Sequence, residues 1–373
     1  MTPRPKIVLA DDLTGAAEIA AIARQAGRRA IVLTRPPAGP VDADLIVLDT
    51  DTRLLPPALA ARRVRAWTAR LAKTTPRHAG VFLKTDSVLR GPVLAHVGAA
   101  TRALGFSRAI LVPANPSLGR VIRGGRYFVH GRFLHETALA NDPHHPRDTS
   151  DALALLGRVP RTPRVCLPAN TADLPEHGVI LGEAASSADV RRWRGRLSAD
   201  TLPAGGADFF RAWLGVRAPA QSSAPPPRLR GPALLLHGTT AAAAGAGALL
   251  FRGVRAPAVS PVADHLARLG GAVVAAPRRR LDDPASLSAA FTQLTLELKR
   301  REAFQHLLVA GGATAAAVLS GLDWTALEVV HVWAPGVVTL RPLAEPDFLL
   351  TLKPGSYPWP DALRRALPAR ILS

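Results

Sequence analysis

Cysteine is almost absent from this 373-residue sequence. The single cysteine, Cys166, excludes a disulfide framework and a cysteine-built zinc site, and it favours a reducing, cytoplasmic location.

Long apolar runs are also missing. The apolar run nearest the start, at residues 7–10, is too short for a secretory signal peptide, so we expect no signal peptide. Residues 231–251 and 303–322 contain no Asp, Glu, Lys or Arg. Histidine, glycine pairs or hydroxyl groups interrupt both stretches, so we expect no membrane span.

Aromatic residues are scarce, at 5% of the chain, whereas basic residues are in large excess. The 47 Lys and Arg residues against 28 Asp and Glu give a formal charge of +19, which first suggests nucleic-acid binding. However, the arginines are scattered over the whole length, and the aromatic side chains are too few for base-stacking platforms. The charge therefore favours attraction of anionic small molecules over binding of nucleic acid.

Short apolar runs that alternate with helical periodicity indicate the fold. Residues 6–10 form such a run, and Ile19, Ile22 and Ala26 follow it at helical spacing. Uniformly apolar strands separated by helices predict two α/β domains, each with a mostly parallel sheet flanked by helices. Further strands are predicted at residues 30–34, 45–48, 81–84, 109–113, 234–237, 273–276, 306–310, 329–333 and 348–352, and helices from near Thr240 and at residues 286–301.

A stretch rich in proline and serine divides the pattern. Residues 217–232 have no periodicity and are predicted to be a linker. The expected domains are therefore residues 1–216 and residues 233–373. In folds of this class ligands bind beyond the carboxyl ends of the strands, and we expect a ligand cleft between the two domains.

The first candidate site is the strand-to-helix turn after residue 10. A helix cap would account for one of its two adjacent carboxylates, Asp11 and Asp12, with Thr14 opening the helix. Two neighbouring carboxylates repel, and burying both requires a ligand hydroxyl, a lysine or a cation. Arg53, with Asp49, follows another predicted strand and should lie on the same edge.

The second candidate site is the segment at residues 84–91, which packs Lys84, Asp86, Ser87 and Arg90 into one strand-to-helix connection. A surface turn would explain any one of these side chains. The combination suits an acid that carries several hydroxyl groups: a cation for its carboxylate, and Asp86 and Ser87 for its hydroxyls.

The third segment, residues 113–148, contains Arg120 and four histidines. The histidine spacing matches no standard zinc set and there is no HExxH, so we expect no metal site. We predict instead an extended loop or hairpin that carries polar side chains to the cleft.

The fourth candidate site is the glycine-rich segment from Gly311 to Ala315, with Gly336 and the Lys353–Gly355 turn in later loops. Glycines at a helix start let backbone N–H groups approach phosphate oxygens. Lys353 either neutralises a phosphate or is a solvated strand end. Neither GxGxxG nor a P-loop is present, which disfavours an NAD(P) oxidoreductase.

Taken in order, these motifs resemble the four-carbon acid sugar kinase family. The resemblance implies a two-domain α/β enzyme that binds a sugar acid in its N-terminal domain and ATP, with Mg²⁺, in its C-terminal domain. The implied reaction is phosphorylation of the terminal 4-hydroxyl of D-threonate, D-erythronate or a 3-oxo-tetronate. The matching segments are ADDLTGA (10–16), DTDTR (49–53), KTDSVLRG (84–91), PANPSLGR (113–120), HETALANDP (135–143), GGATA (311–315), APGV (334–337) and KPG (353–355).

The resemblance assigns roles to the candidate residues. Asp12 or Asp86 would orient or deprotonate the terminal hydroxyl, an alternative left open here. Lys84, a further catalytic candidate, would hold the carboxylate and hydroxyls of the acid together with Arg90 and Arg53. The acid would be bound by Asp11, Thr14, Arg53, Ser87, Arg90, Gly91 and Arg120, and the nucleotide by Thr239, Thr240, Gly311, Gly312, Ala313, Thr314, Ala315, Gly336, Lys353 and Gly355. We expect Mg²⁺ to be held by phosphate oxygens and water, with no protein cage.

The nucleotide half departs from the family pattern. Ala313 replaces a glutamate, Thr239 and Thr240 replace a serine turn, and the segment 356–358 replaces Asn-Phe-Gly. These changes favour an alternative function, a non-catalytic sugar-acid binder. For the oligomeric state the sequence offers no motif, and the expectation of a homodimer rests only on symmetric dimers being the commonest soluble oligomers.

Overall fold

The computed structural model describes residues 5–37, 39–74, 80–142, 145–216, 226–227, 229, 231–238, 249–250, 256–276, 284–355 and 357–367. The chain divides into two compact units, Met1–Ile22 with Pro36–Pro219 and Ala23–Arg35 with Ala220–Ser373. The main division falls inside the predicted linker. The grouping of Ala23–Arg35 with the second unit was not predicted from the sequence.

The elements have the following bounds. The strands are β1 Lys6–Ala10, β2 Ala30–Leu33, β3 Leu45–Asp49, β4 Val81–Lys84, β5 Arg108–Val112, β6 Arg120–Arg123, β7 Arg126–Val129, β8 Arg132–Phe133, β9 Arg164–Leu167, β10 Gly178–Gly182, β11 Thr201–Gly205, β12 Ala233–His237, β13 Leu249–Leu250, β14 Gly271–Ala275, β15 His306–Ala310, β16 Ala326–Ala334, β17 Val337–Pro342 and β18 Leu349–Lys353. The helices are α1 Leu13–Gln25, α2 Pro57–Thr74, α3 Val93–Ala103, α4 Ala152–Leu156, α5 Ser187–Gly195, α6 Ala207–Leu214, α7 Val259–Leu269, α8 Pro284–Arg300, α9 Gly312–Leu322 and α10 Asp361–Ala366.

The first unit is built on a parallel sheet. Its strands lie in the order β3-β1-β4-β11-β5-β10-β9, and every adjacent pair is parallel. The strands β1, β3 and β4 are buried almost throughout, as expected for a sheet covered on both faces. The predicted hairpin within residues 113–148 is confirmed: β6, β7 and β8 form a small antiparallel sheet.

The second unit has a mixed sheet. Its strands lie in the order β13-β14-β12-β15-β18-β17-β16-β2. The pairs from β13 to β18 are parallel, whereas β18, β17, β16 and β2 pair antiparallel in succession. The N-terminal strand β2 belongs here because it pairs with β16.

Most predicted elements are confirmed. Strands β1, β4 and β15 have the predicted bounds, and the other predicted strands are displaced by at most three residues. Strands β9–β11, β13 and β17 were not predicted, and the helix predicted from near Thr240 falls outside the described residues. Among the helices that the structure describes, none has the length and apolar character needed to cross a membrane.

Candidate active site

The carboxyl ends of three neighbouring strands bring the N-terminal motifs together. In the sheet register, Ala10 of β1 pairs with Asp49 of β3 on one side and with Lys84 of β4 on the other. The segments that follow these strands, which begin with Asp11, Thr50 and Thr85, therefore leave the sheet at one edge. The prediction that Asp49 and Arg53 lie on the same edge as Asp11 and Asp12 is confirmed.

Arg53 links the two adjacent acids. Its guanidinium binds Asp11 through two hydrogen bonds of 2.9 Å, from Nε to Oδ2 and from Nη2 to Oδ1, and its Nη1 donates to the Asp12 carboxylate. Burial lowers the pKa of Arg53, but the charges of Asp11 and Asp12 outweigh it, so the pKa lies above its ordinary value. The repulsion expected between the two aspartates is thus relieved by a buried cation.

Asp12 also begins helix α1. Its carboxylate accepts hydrogen bonds from Thr14 Oγ1 at 2.5 Å and from the Gly15 amide at 2.7 Å. A side-chain carbon at Gly15 would lie 2.8 Å from Asp12 Oδ1 and 3.3 Å from Lys84 Nζ, so glycine is required for this close approach. The capping role of Asp12 and a role in chemistry therefore use the same carboxylate.

Asp86 and Arg90 form a second ion pair, in which the carboxylate is buried and the guanidinium is partly exposed. Arg90 donates to both Asp86 oxygens, at 2.8 Å and 3.1 Å, and the Val88 and Arg90 amides also donate to Asp86. Burial alone would raise the pKa of Asp86, but the charges of Arg90 and Arg53 bring it well below its ordinary value. Asp86 is therefore a firmly ionised carboxylate with its hydrogen-bonding capacity largely used.

Lys84 pairs with an acid that the sequence analysis missed. Its Nζ lies 3.2 Å from Glu18 Oε2, and it donates to the Thr85 carbonyl at 3.1 Å. Burial lowers the pKa of Lys84, but the charges of Glu18 and Asp11 raise it above its ordinary value. The sequence does contain a sign that Glu18 is special, because it is the lone charged residue in the apolar segment at residues 15–23.

The hairpin and the segment after it contact the same edge. Arg120 Nη1 donates to Ser87 Oγ at 2.7 Å, and Tyr127, which was not predicted, donates to the Ser87 carbonyl at 2.5 Å. Arg147, also not predicted, donates to the Leu89 carbonyl at 3.2 Å. The third predicted segment thus supplies side chains to the second.

Other predicted residues have local roles. Gly91 has φ of +80°, and a side-chain carbon there would lie 2.6 Å from the Arg53 carbonyl oxygen, so the turn requires glycine. Asp49 is buried, and burial together with the charge of Asp51 raises its pKa well above the ordinary value. Asp49 accepts a hydrogen bond from the Asp51 amide, and among the described residues it forms no ion pair with Arg53.

A different edge, in the second unit, collects the glycine-rich motifs. Ala310 pairs with Lys353 at the ends of β15 and β18, and the Gly311 amide donates to the Lys353 carbonyl at 3.1 Å. Gly311 has φ of +115° and starts helix α9 without a side-chain cap. The first amides of α9, at Gly312, Ala313 and Thr314, are therefore available to an anion.

Lys353 lies beside these amides. It is buried, its Nζ donates to the carbonyls of Pro354 and Gly355, and it lies 5.1 Å from the centre of the Trp359 ring. Burial lowers its pKa to about 8. The alternative that Lys353 is a solvated strand end is wrong, because the side chain is only 2% exposed.

Two further glycines shape this edge. A side-chain carbon at Gly238 would lie 2.0 Å from Thr314 Oγ1, and one at Gly336, where φ is +77°, would lie 2.9 Å from the Tyr357 ring. The uncapped helix start and the buried cation suit a polyphosphate.

Three positions of the predicted nucleotide site, Thr239, Thr240 and residue 356, lie outside the described residues. In the part of the chain that the structure describes, there is no group of three or more metal-ligating side chains.

Two family models match the chain. A sugar-binding N-terminal domain model matches residues 6–193, and a nucleotide-binding C-terminal domain model matches residues 249–363. The first match spans the edge that carries Asp12 and Arg90, and the second spans the edge that carries Gly311 and Lys353.

Several similar proteins are named kinases. The chain is 29% identical to a D-threonate kinase from Bordetella bronchiseptica, over 97% of this chain and 96% of that one. It is 26% identical to a 3-oxo-tetronate kinase from Brucella melitensis, over 94% and 92%. A D-threonate kinase from Salmonella typhimurium is 34% identical over 158 residues, which cover 41% of this chain and 37% of the relative.

Solved structures share the fold. Haemophilus influenzae protein HI1011 matches with a TM-score of 0.69 and 18% identity, over 96% of this chain and 98% of that one. A Salmonella typhimurium LT2 protein matches with a TM-score of 0.74 and 21% identity, over 97% and 98%. Both likenesses establish the two-domain α/β architecture.

Proposed function

Because the chain belongs to the four-carbon acid sugar kinase family, we propose that it transfers the γ-phosphoryl group of ATP to the terminal 4-hydroxyl of a four-carbon sugar acid. One observation carries the proposal. Each unit has one sheet edge whose chemistry suits one substrate: ionised side chains for a hydroxy acid in the first, and free amides with a buried lysine for a polyphosphate in the second.

Phosphoryl transfer requires positioning and charge neutralisation more than covalent chemistry. Asp86 is a weak base because Arg90 and Arg53 stabilise its anion, so its role is to hold Arg90 and the substrate loop. Asp12 also accepts from Arg53, but its side chain is more exposed than that of Asp86, at 16% against 6%, so Asp12 is the better candidate to orient the terminal hydroxyl and take its proton. Mg²⁺, when bound with ATP, supplies positive charge to the phosphate oxygens.

The substrate carboxylate has few free cations to bind. Arg53, Arg90 and Lys84, which we expected to hold it, are each paired with a carboxylate of the protein. Arg120 and Arg147 have no carboxylate within ion-pair distance among the residues that the structure describes; they bind Ser87 Oγ and backbone carbonyls. We therefore assign the carboxylate chiefly to these two arginines.

Arg120→Gln is expected to raise the KM for the sugar acid about 10-fold and to leave the KM for ATP unchanged. The reason is the loss of one charge-assisted hydrogen bond to the substrate carboxylate. Steady-state kinetics with each substrate varied in turn measures both constants. Arg126→Gln, at an exposed arginine on β7, is the matched control and should change neither. Equal effects of the two substitutions would contradict the assignment.

Affinity for ATP is expected to fall as the pH rises through about 8. Lys353 has a pKa of about 8 because of burial, so it is protonated and attracts phosphate below that pH and is neutral above it. One proton limits the slope to about 10-fold in Kd per pH unit. Calorimetry with a non-hydrolysable ATP analogue between pH 7 and pH 9.5 tests this. Lys353→Arg, which stays charged, should flatten the profile, and a profile unchanged by this substitution would refute the role.

A coupled ADP-release assay over four-carbon aldonates and ketoaldonates tests the function as a whole. ADP release that depends on one of these acids is the expected result. ADP release with none of them, at an enzyme concentration that readily detects turnover, would remove the proposal.

A second candidate function is a non-catalytic sugar-acid binder. Ala313 stands where the family has a glutamate, and it leaves the exposed start of α9 without an acidic side chain. This alternative predicts calorimetric binding of a sugar acid without ADP release, so the two methods together separate the functions.

A further inference from the structure

A narrow crevice adjoins the sugar-acid edge of the first unit. It is lined by Asp11, Thr52, Thr85, Arg90 and His96, together with the start of helix α3. Two of these residues, Asp11 and Arg90, belong to the ion pairs of the candidate active site. His96 lies on α3 and is 2% exposed, and neither the motifs nor the proposed mechanism uses it.

The hydrogen bonds around His96 fix the position of its proton. Thr50 Oγ1 donates its one proton to the Ala10 carbonyl at 2.7 Å. In the 3.0 Å contact between Thr50 and Thr52, Thr52 must therefore be the donor. Thr52 has then used its own proton, so the 3.1 Å contact with His96 requires a proton on Nδ1 of the imidazole. A neutral His96 consequently carries a lone pair on Nε2.

The two polar atoms that remain at the crevice have no protein partner. His96 Nε2 and Thr85 Oγ1 are both buried, and neither has a hydrogen-bond partner among the residues that the structure describes. Burial and the charge of Arg53 lower the pKa of His96 to about 3, so its imidazole is neutral at working pH. An unpaired buried acceptor is costly, and a ligand that donates a proton removes the cost.

We propose that His96 Nε2 and Thr85 Oγ1 form a subsite for the C3 hydroxyl of the sugar acid, so that the enzyme prefers 2,3-dihydroxy acids of the threonate or erythronate type to 3-oxo acids. This inference rests on the proposed function. Arg53 bridges Asp11 and Asp12, so the crevice adjoins the carboxylate that acts on the C4 hydroxyl, and C3 is the next carbon. A hydroxyl there donates to Nε2 and accepts from Thr85. A ketone oxygen cannot donate, and it leaves Nε2 facing another lone pair.

The test compares D-threonate, D-erythronate, 3-oxo-tetronate and 2,4-dihydroxybutanoate, which has no oxygen at C3. For the wild-type protein we expect kcat/KM for the better dihydroxy acid to exceed that for the other two compounds by roughly 10- to 100-fold, the effect of one unpaired buried acceptor. His96→Asn keeps an amide donor near the Nδ1 position for Thr52 but has no atom at Nε2. It should bring the ratio close to one, mainly by lowering kcat/KM for the dihydroxy acid.

Two controls separate specificity from structure. Thr85→Val, nearly the same shape without the hydroxyl, should reduce the preference over 2,4-dihydroxybutanoate but leave the preference over the 3-oxo acid, because the C3 hydroxyl and the C3 ketone lose the same hydrogen bond from Thr85. A merely structural His96 would lower kcat/KM for all acids by the same factor and leave the ratio unchanged, which would overturn the proposal, as would a wild-type preference for the 3-oxo acid. Calorimetric affinities for the same acids, without ATP, give the ratio even if no acid is turned over. A failure of the kinase function is thereby distinguished from a failure of the subsite, and absence of binding by every acid overturns both.

Discussion

Asp12→Asn is expected to lower kcat by at least about 10²-fold while the protein stays folded. The asparagine keeps the size of the side chain and can still accept from the Gly15 amide, so helix α1 retains its start. It loses the negative charge that Arg53 now neutralises and the ability to take a proton from the substrate hydroxyl. Because the loss concerns the transferring step, kcat should fall much more than KM rises.

Asp86→Asn is the comparison that makes this result informative. Removing the Asp86 charge leaves Arg90 with only its contact to Asp142, at 3.2 Å, and loosens the substrate loop. We therefore expect its main effect on the KM for the sugar acid. Single-turnover measurements on both variants give the rate of the chemical step. A fall in that rate for Asp86→Asn with none for Asp12→Asn would reverse the assignment of the base.

Glu18→Leu is expected to destabilise the first unit by about 3 kcal/mol or more. Lys84 is only 3% exposed, and among the described residues Glu18 is the one carboxylate within ion-pair distance of it. The substitution therefore leaves this buried cation with only the more distant charges of Asp11 and Asp12. The double variant Glu18→Leu with Lys84→Met removes both charges and should regain most of the lost stability. Urea unfolding of the wild type, the two single variants and the double variant measures the coupling. A double variant as unstable as the sum of the single variants would show that the pair is not coupled.

The strands that carry the site were predictable because they are short, apolar and buried on both faces. Residues 6–10, 81–84 and 306–310 are of this kind, and each ends where polar side chains begin. That pattern alone places the motifs at strand ends, and parallel pairing brings neighbouring ends together. Residues 164–167 and 201–205 were missed since a proline, Pro203, and half-buried positions interrupt the apolar signal.

Contacts between distant segments were beyond prediction from local pattern. Strand β2 has the same apolar character as β1, and only its antiparallel pairing with β16 assigns it to the second unit. Within the site, Glu18 and His96 lie inside helices, where a polar side chain is ordinarily solvent-facing. Their roles depend on which strand ends lie opposite them in the fold. The spacing of residues along the sequence does not show which strand ends those are.

The pairing of charges is a further result that residue types could not provide. The motifs placed Arg53 and Arg90 in the candidate site, but they did not show that protein carboxylates already bind both. Ion pairing is set by distances of 3–4 Å between side chains of separate loops. The distinction matters because a paired arginine positions a neighbouring acid, whereas an unpaired one binds the substrate anion.

Phosphorus NMR of the reaction product tests the central claim most directly. Incubation with ATP, Mg²⁺ and D-threonate or D-erythronate should yield a phosphomonoester whose ³¹P signal is split by the two protons of C4, which identifies transfer to the terminal hydroxyl. A signal split by a single proton would place the phosphate on C2 or C3, and the absence of any phosphoester under conditions where the acid binds would show that the chain is not a sugar-acid kinase.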